Sequence, residues 1–166
     1  MILGLSIPTF TLLHVIISII GIASGLIVLF GMFSSHRLPG WTALFLFTTV
    51  LTSVTGFMFP ATTLTPAGIF GIISLVVLLV ALIALYGFRL GGAWRWIYVG
   101  GAVVALYLNI FVLVAQSFQK IPLLHPLAPT GSEPPFLAAE GALLAIFVVL
   151  GIVAVLKFHP EQHAAS

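Results

Sequence analysis

The stretch AWRWIYVGGAVVALYLNIFVLVAQSFQKIPLL, Ala93–Leu124, decides how this chain folds. From Ala93 to Ser117 it carries one charged residue, Arg95. About 20 apolar helical residues cross the hydrocarbon core of a bilayer, so this run is long enough to span one. Its polar groups are not scattered. At about 100° per residue, Gln116 and Lys120 stand at roughly 340° and 20° from Asn109, and Tyr98 shares that line. The stripe runs from the middle of the run to its end, while the opposite half of the same line is occupied by Ala102 and Ala105. An unpaired amide in hydrocarbon costs several kcal/mol, so Asn109 must face a neighbouring helix or a cavity.

The rest of the chain has the same character. Of 166 residues 61% are hydrophobic and 5% are charged, and the mean hydropathy is +1.33. Soluble domains carry about 25% charged residues, so this composition cannot cover a water-facing surface. The reading is an all-α integral membrane bundle of five transmembrane helices in a single domain, 1–166, with the lipid bilayer as its first partner. The helices are expected at about 10–33, 41–59, 67–88, 93–117 and 135–157. An outer proline-rich loop fills 118–134 and is expected to lie as a stiff flap on the bundle. The third helix, nearly featureless, is expected to face lipid. No basic cluster exists to bind phosphates, so nucleic acid is excluded as a partner. The absence of cysteine excludes disulfides and thiolate metal sites. The first run lacks a basic leader and exceeds a normal signal-peptide core, so cleavage is not expected.

Basic residues set the expected orientation. Arg37, Arg89, Arg95 and Lys157 fall on the side of the first loop, the third loop and the C-terminal end, and Lys120 alone falls on the other. Positive charge stays in the cytoplasm, which places the N-terminus outside and the C-terminus inside. Trp41, Trp94 and Trp96 then gather at the cytoplasmic interface, where indoles collect.

The remaining polar residues lie in the outer half. His14 and Ser18 share a face of the first helix with Gly21 and Gly25, whose G-x-x-x-G spacing lets another backbone approach. Thr48, Thr52 and Thr55 form one face of the second helix, and Glu140 sits one turn inside the fifth, preceded by Glu133. His14, Thr48, Thr52, Thr55, Asn109, Gln116, Lys120, Glu133 and Glu140 are therefore the candidate ligand-binding residues of an outward-facing pocket. Each has a plainer reading. Asn109 and Gln116 can bond between helices, Lys120 can snorkel to headgroups, and Glu140 suits a helix N-terminus.

Catalytic chemistry has little to work with. There is no aspartate, no nucleophile elbow and no metal cluster within the spans. A haem held by two histidines would have only His14 and His125 to draw on, and a quinone is the other cofactor that the pocket suggests. His159, Glu161 and His163 have metal-like spacing in the C-terminal segment, but no metal site is assigned there.

The segments YLNIFVLVAQSFQKIPLLHPLAPTGSEPPF (107–136), TSVTGFMFP (52–60) and GAWRWIYV (92–99) resemble a group of small, uncharacterised polytopic inner-membrane proteins of proteobacteria. The resemblance implies an inner-membrane location and a multi-pass architecture, and no activity. The functional expectation is a binding or accessory subunit for a membrane protein partner, for a second copy of itself, or for a hydrophobic small molecule. The alternatives are an oligomeric small-solute transporter or channel and, third, a redox enzyme using haem or quinone.

Overall fold

The computed structural model of the chain describes residues 1–160, which form five α-helices joined by short connections. α1, Ile7–Phe33, starts ahead of the apolar run because the Ser6 hydroxyl accepts the Thr9 N–H at 3.3 Å. α2, Pro39–Gly56, opens on a proline, which suits a first turn with no donor to satisfy. α3, Pro66–Leu82, opens the same way, with Thr65 accepting the Gly68 N–H at 3.1 Å. Its last turn, Ile83–Gly87, widens to π-helical geometry. α4, Trp94–Lys120, ends where Ile121 turns extended ahead of Pro122. α5 covers Pro134–Lys157. The proline-rich loop therefore begins at Ile121 and not at Phe118, and Lys120 belongs to the helix.

Among the described residues four helical stretches are long and apolar enough to cross a membrane: Ile7–Phe33, Pro66–Gly87, Trp94–Lys120 and Pro134–Lys157. α2 is not among them. Its 18 residues include five threonines and a serine, which dilute its apolarity. At 1.5 Å per residue it is about 27 Å long, close to a bilayer core.

α4 is the hub, packing on α1, α3 and α5, while α1 pairs most extensively with α2 and α2 also touches α3. α4 and α5 run antiparallel, with Phe118 against Phe136 at 5.6 Å and Tyr107 against Phe147 at 5.7 Å between ring centroids. Two elements differ from expectation. α5, and not α3, is the most peripheral helix: it buries only Glu140, Phe147 and Ala154. The second departure is the 121–133 loop, which does not lie flat on the bundle. Ile121, Leu123 and Leu127 are exposed, Ala128 is its one buried residue, and a short helical turn at His125–Leu127 contacts α4.

The half of the bundle around Trp94 is sealed. Phe45, Leu46, Leu78, Val99, Ala102 and Leu106 interlock, each no more than 3% exposed. At the same end the Arg95 guanidinium donates to the Val155 and Phe158 carbonyls, placing a cation on the C-terminus of α5. The Gly21–Gly25 pair serves this packing. A methyl group on Gly25 would lie 2.7 Å from Leu106 Cδ1 and 2.8 Å from Phe45 Cε2. The glycine face thus receives side chains of α2 and α4, and it is not open to a second protein.

Candidate ligand pocket

In the other half, α1 to α4 enclose a cavity of about 350 Å³, within the range of small-molecule sites. Small residues make the room: Gly56 at the end of α2, then Ala67, Gly68 and Gly71 on α3, all line it. The rings of Phe57, Phe59 and Phe70 border the space so left. α4 contributes Asn109, Gln116 and Lys120, one helical stripe as its spacing requires. α1 adds Thr11, His14 and Ser18, and α2 adds Thr49, Thr52 and Ser53.

Most hydroxyl protons in this cavity are already committed. Thr11 donates to Ile7 O at 2.9 Å, Ser18 to His14 O at 2.8 Å and Thr49 to Phe45 O at 2.7 Å. Thr52 donates to Thr48 O at 2.9 Å and Ser53 to Thr49 O at 3.1 Å. This back-bonding is what Ser and Thr do inside apolar helices. It turns the hydroxyl wall into a surface of oxygen lone pairs. His14 is held by Thr55, with Nδ1 and Oγ1 2.7 Å apart, and its ring meets Phe59 edge-on at 5.3 Å.

Two amide atoms stand out. Asn109 Nδ2 and Gln116 Oε1 are buried and have no hydrogen-bond partner among the described residues. Leaving a buried polar atom unpaired costs about 1–3 kcal/mol, so a partner for either atom is stabilising. Lys120 brings positive charge to the same space, and neither Glu133 nor Glu140 lines it.

The structure thus brings together five of the nine sequence candidates: His14, Thr52, Asn109, Gln116 and Lys120. Thr55 stands just behind His14. Thr48 is buried and gives its proton to Leu44 O at 2.7 Å, facing Gly21 and not the cavity. Glu133 lies in the 121–133 loop, just ahead of α5. The Thr130 hydroxyl, with the Thr130 and Ser132 N–H groups, holds its carboxyl down at about 2. Glu140 is 7% exposed on α5, and both of its oxygens lack a partner. Its helix packs on the face of α4 that carries Tyr107, away from the pocket stripe.

Sequence reasoning missed the third and upper walls. α3 has one polar residue in the pocket, Ser74, so its apolarity hid it. The available signal was Gly68, Gly71 and Ser74, three small residues on one helical face. Among the described residues His14 is the only histidine that lines the cavity, and they assemble no second axial ligand for haem there. Among the described residues no group of three or more His, Cys, Asp or Glu is placed to hold a metal ion. Glu161 and His163 lie outside the described residues.

No known protein family matches the chain, and neither does a curated protein sequence or a solved structure.

Proposed function

We propose that this chain is a five-span bacterial inner-membrane protein whose outward-facing pocket binds a hydrophobic small molecule, acting as a binding or accessory protein. The observation that carries the reading is the pair of partnerless amide atoms in a cavity walled by aromatic rings on one side and by back-bonded hydroxyls on the other. The sealed layer beneath it supports a blind pocket. α2 is read as the fifth span because of its length and its place between α1 and α3. The four-to-one bias of basic residues and the position of the three tryptophans support the N-terminus outside and the cytoplasmic C-terminus.

One observation favours a transport path. At the opposite end a second hollow of about 40 Å³ is lined by residues that include His36, Arg37, Thr42 and Tyr98. The two share no lining residue, and the Phe45–Leu106 layer stands between them. Transport would require that layer to part.

Native mass spectrometry of protein released from its own membranes tests the reading. The expected result is a bound small molecule on the wild-type chain that is lost in the Asn109→Leu, Gln116→Leu double variant. A bare homo-oligomer would move transport to the front, and a stoichiometric second polypeptide without small-molecule mass would make the stripe an interface. Because the chain has no cysteine, single cysteines at positions 6 and 35 with an impermeant maleimide test the orientation separately. Labelling is expected from outside at 6 and not at 35.

A further inference from the structure

The pocket also specifies what its occupant must carry. Thr55 Oγ1 lies 2.7 Å from Leu51 O as well as 2.7 Å from His14 Nδ1. Two oxygens that close repel unless a proton lies between them, and the carbonyl has none to offer. The single hydroxyl proton of Thr55 therefore points at Leu51 O, and Thr55 meets His14 as an acceptor. His14 must supply the proton of that contact from Nδ1. In the neutral ring this leaves a lone pair on Nε2, and among the described residues His14 makes its one side-chain hydrogen bond through Nδ1. His14 lines the cavity, so its free nitrogen is an acceptor for whatever lies there.

The surrounding groups point the same way. The hydroxyls of Ser18, Thr49, Thr52 and Ser53 have spent their protons on their own helices, and the orphan atom of Gln116 is its carbonyl oxygen. The unpaired Asn109 amide N–H is a donor in the same cavity, so the site suits a group that both donates and accepts, as a hydroxyl does. Lys120 lines the same cavity, where the described residues place no carboxylate, and it works against a cationic donor. Phe57, Phe59 and Phe70 offer flat apolar contact.

Resting on the pocket reading above, we infer that the ligand is a neutral hydroxyl-bearing aromatic molecule, a phenol or hydroquinone, whose O–H donates to His14 Nε2. Thr55 is the positioning residue that sets the tautomer. A ligand of the same frame that offers only an ether or carbonyl oxygen meets lone pair with lone pair at His14. A site built to bond a hydroxyl rejects the analogue that lacks one more strongly than an apolar pocket rejects a small change of size.

The test uses the full chain in lipid nanodiscs with two compounds, 4-hexylphenol and its methyl ether, which differ only in the donor. Saturable binding is read after subtraction of empty nanodiscs. The phenol is expected to bind about tenfold more tightly, a typical effect of one buried hydrogen bond. Thr55→Val, which removes the acceptor that fixes the ring, and His14→Phe are both expected to abolish that preference, bringing the affinities of phenol and ether together. In parallel, ¹⁵N NMR of histidine-labelled protein is expected to show His14 protonated on Nδ1, with the signal assigned by its loss in His14→Phe. Equal saturable binding of the two compounds, or a proton on Nε2, overturns this inference and leaves the pocket standing. Absence of saturable binding by either compound removes the pocket reading along with it.

Discussion

Gly25 offers the sharpest test of how the bundle is packed. Replacing it with alanine adds one methyl group, which would sit 2.7 Å from Leu106 Cδ1 and 2.8 and 2.9 Å from two carbons of the Phe45 ring. Carbon atoms pack best at about 3.5–4.0 Å, so each contact is roughly 1 Å too short. Neither neighbour can swing aside, because Leu106 and Phe45 are both 1% exposed inside the sealed layer. Overpacking of this kind costs about 1–3 kcal/mol. Alanine also returns about 1 kcal/mol of helix propensity, which must be subtracted experimentally. Gly100→Ala supplies that reference, since a methyl group there meets nothing within 4 Å. Reversible unfolding in mixed detergent micelles should show Gly100→Ala neutral or stabilised and Gly25→Ala less stable than Gly100→Ala by about 1–3 kcal/mol. Equal shifts in the two variants would refute the packing argument and free the glycine face for a partner.

Three further outcomes follow from other parts of the molecule. Glu140→Leu removes a buried carboxylate that has no partner, so it should leave stability unchanged or raise it by about 1–3 kcal/mol in the same unfolding assay; a clear loss would reveal a bond to that carboxylate. The depressed carboxyl of Glu133 makes its turn pH-dependent. A lowered folded-state pKa contributes order that is fully present above the ordinary glutamate range and lost as pH falls toward about 2. Hydrogen exchange at the Thr130 and Ser132 amides should therefore accelerate on acidification relative to a Glu133→Gln variant, and parallel pH profiles in the two would be fatal to this account. Arg95→Gln should cost about 1–2 kcal/mol and loosen the end of α5, read as faster amide exchange from Val155 to Phe158; unchanged exchange there would remove Arg95 from any capping role.

Much of this molecule is legible in one dimension. The scarcity of charge and the lengths of the apolar runs dictate membrane helices, because a bilayer tolerates no unsatisfied backbone and demands a minimum length. Helical phase is likewise local. Asn109, Gln116 and Lys120 must share a face whatever surrounds them, and His14 and Ser18 must share another. Pro66 announces the start of the third helix, though residues 7–9 extend the first helix behind the Ser6 cap and residues 118–120 carry the fourth on until Pro122 forces Ile121 out of helical geometry.

What required the tertiary structure was which faces meet. Glu140 and Asn109 both read in sequence as members of one polar cluster, yet they face different neighbours, since the α4–α5 pairing turns Glu140 away from the stripe. Gly21 and Gly25 read as a surface for a partner, and the fold fills that surface with Leu106, Phe45 and Asn109. The tautomer of His14 depends on Thr55, 41 positions away in sequence, and on the carbonyl that claims that hydroxyl's proton. The aromatic wall from Phe57, Phe59 and Phe70 carried no polar signal at all. Apolar length and helical phase are properties of each segment alone, but the order in which helices pack is set by the complementarity of whole surfaces, and that appears only when they are brought together.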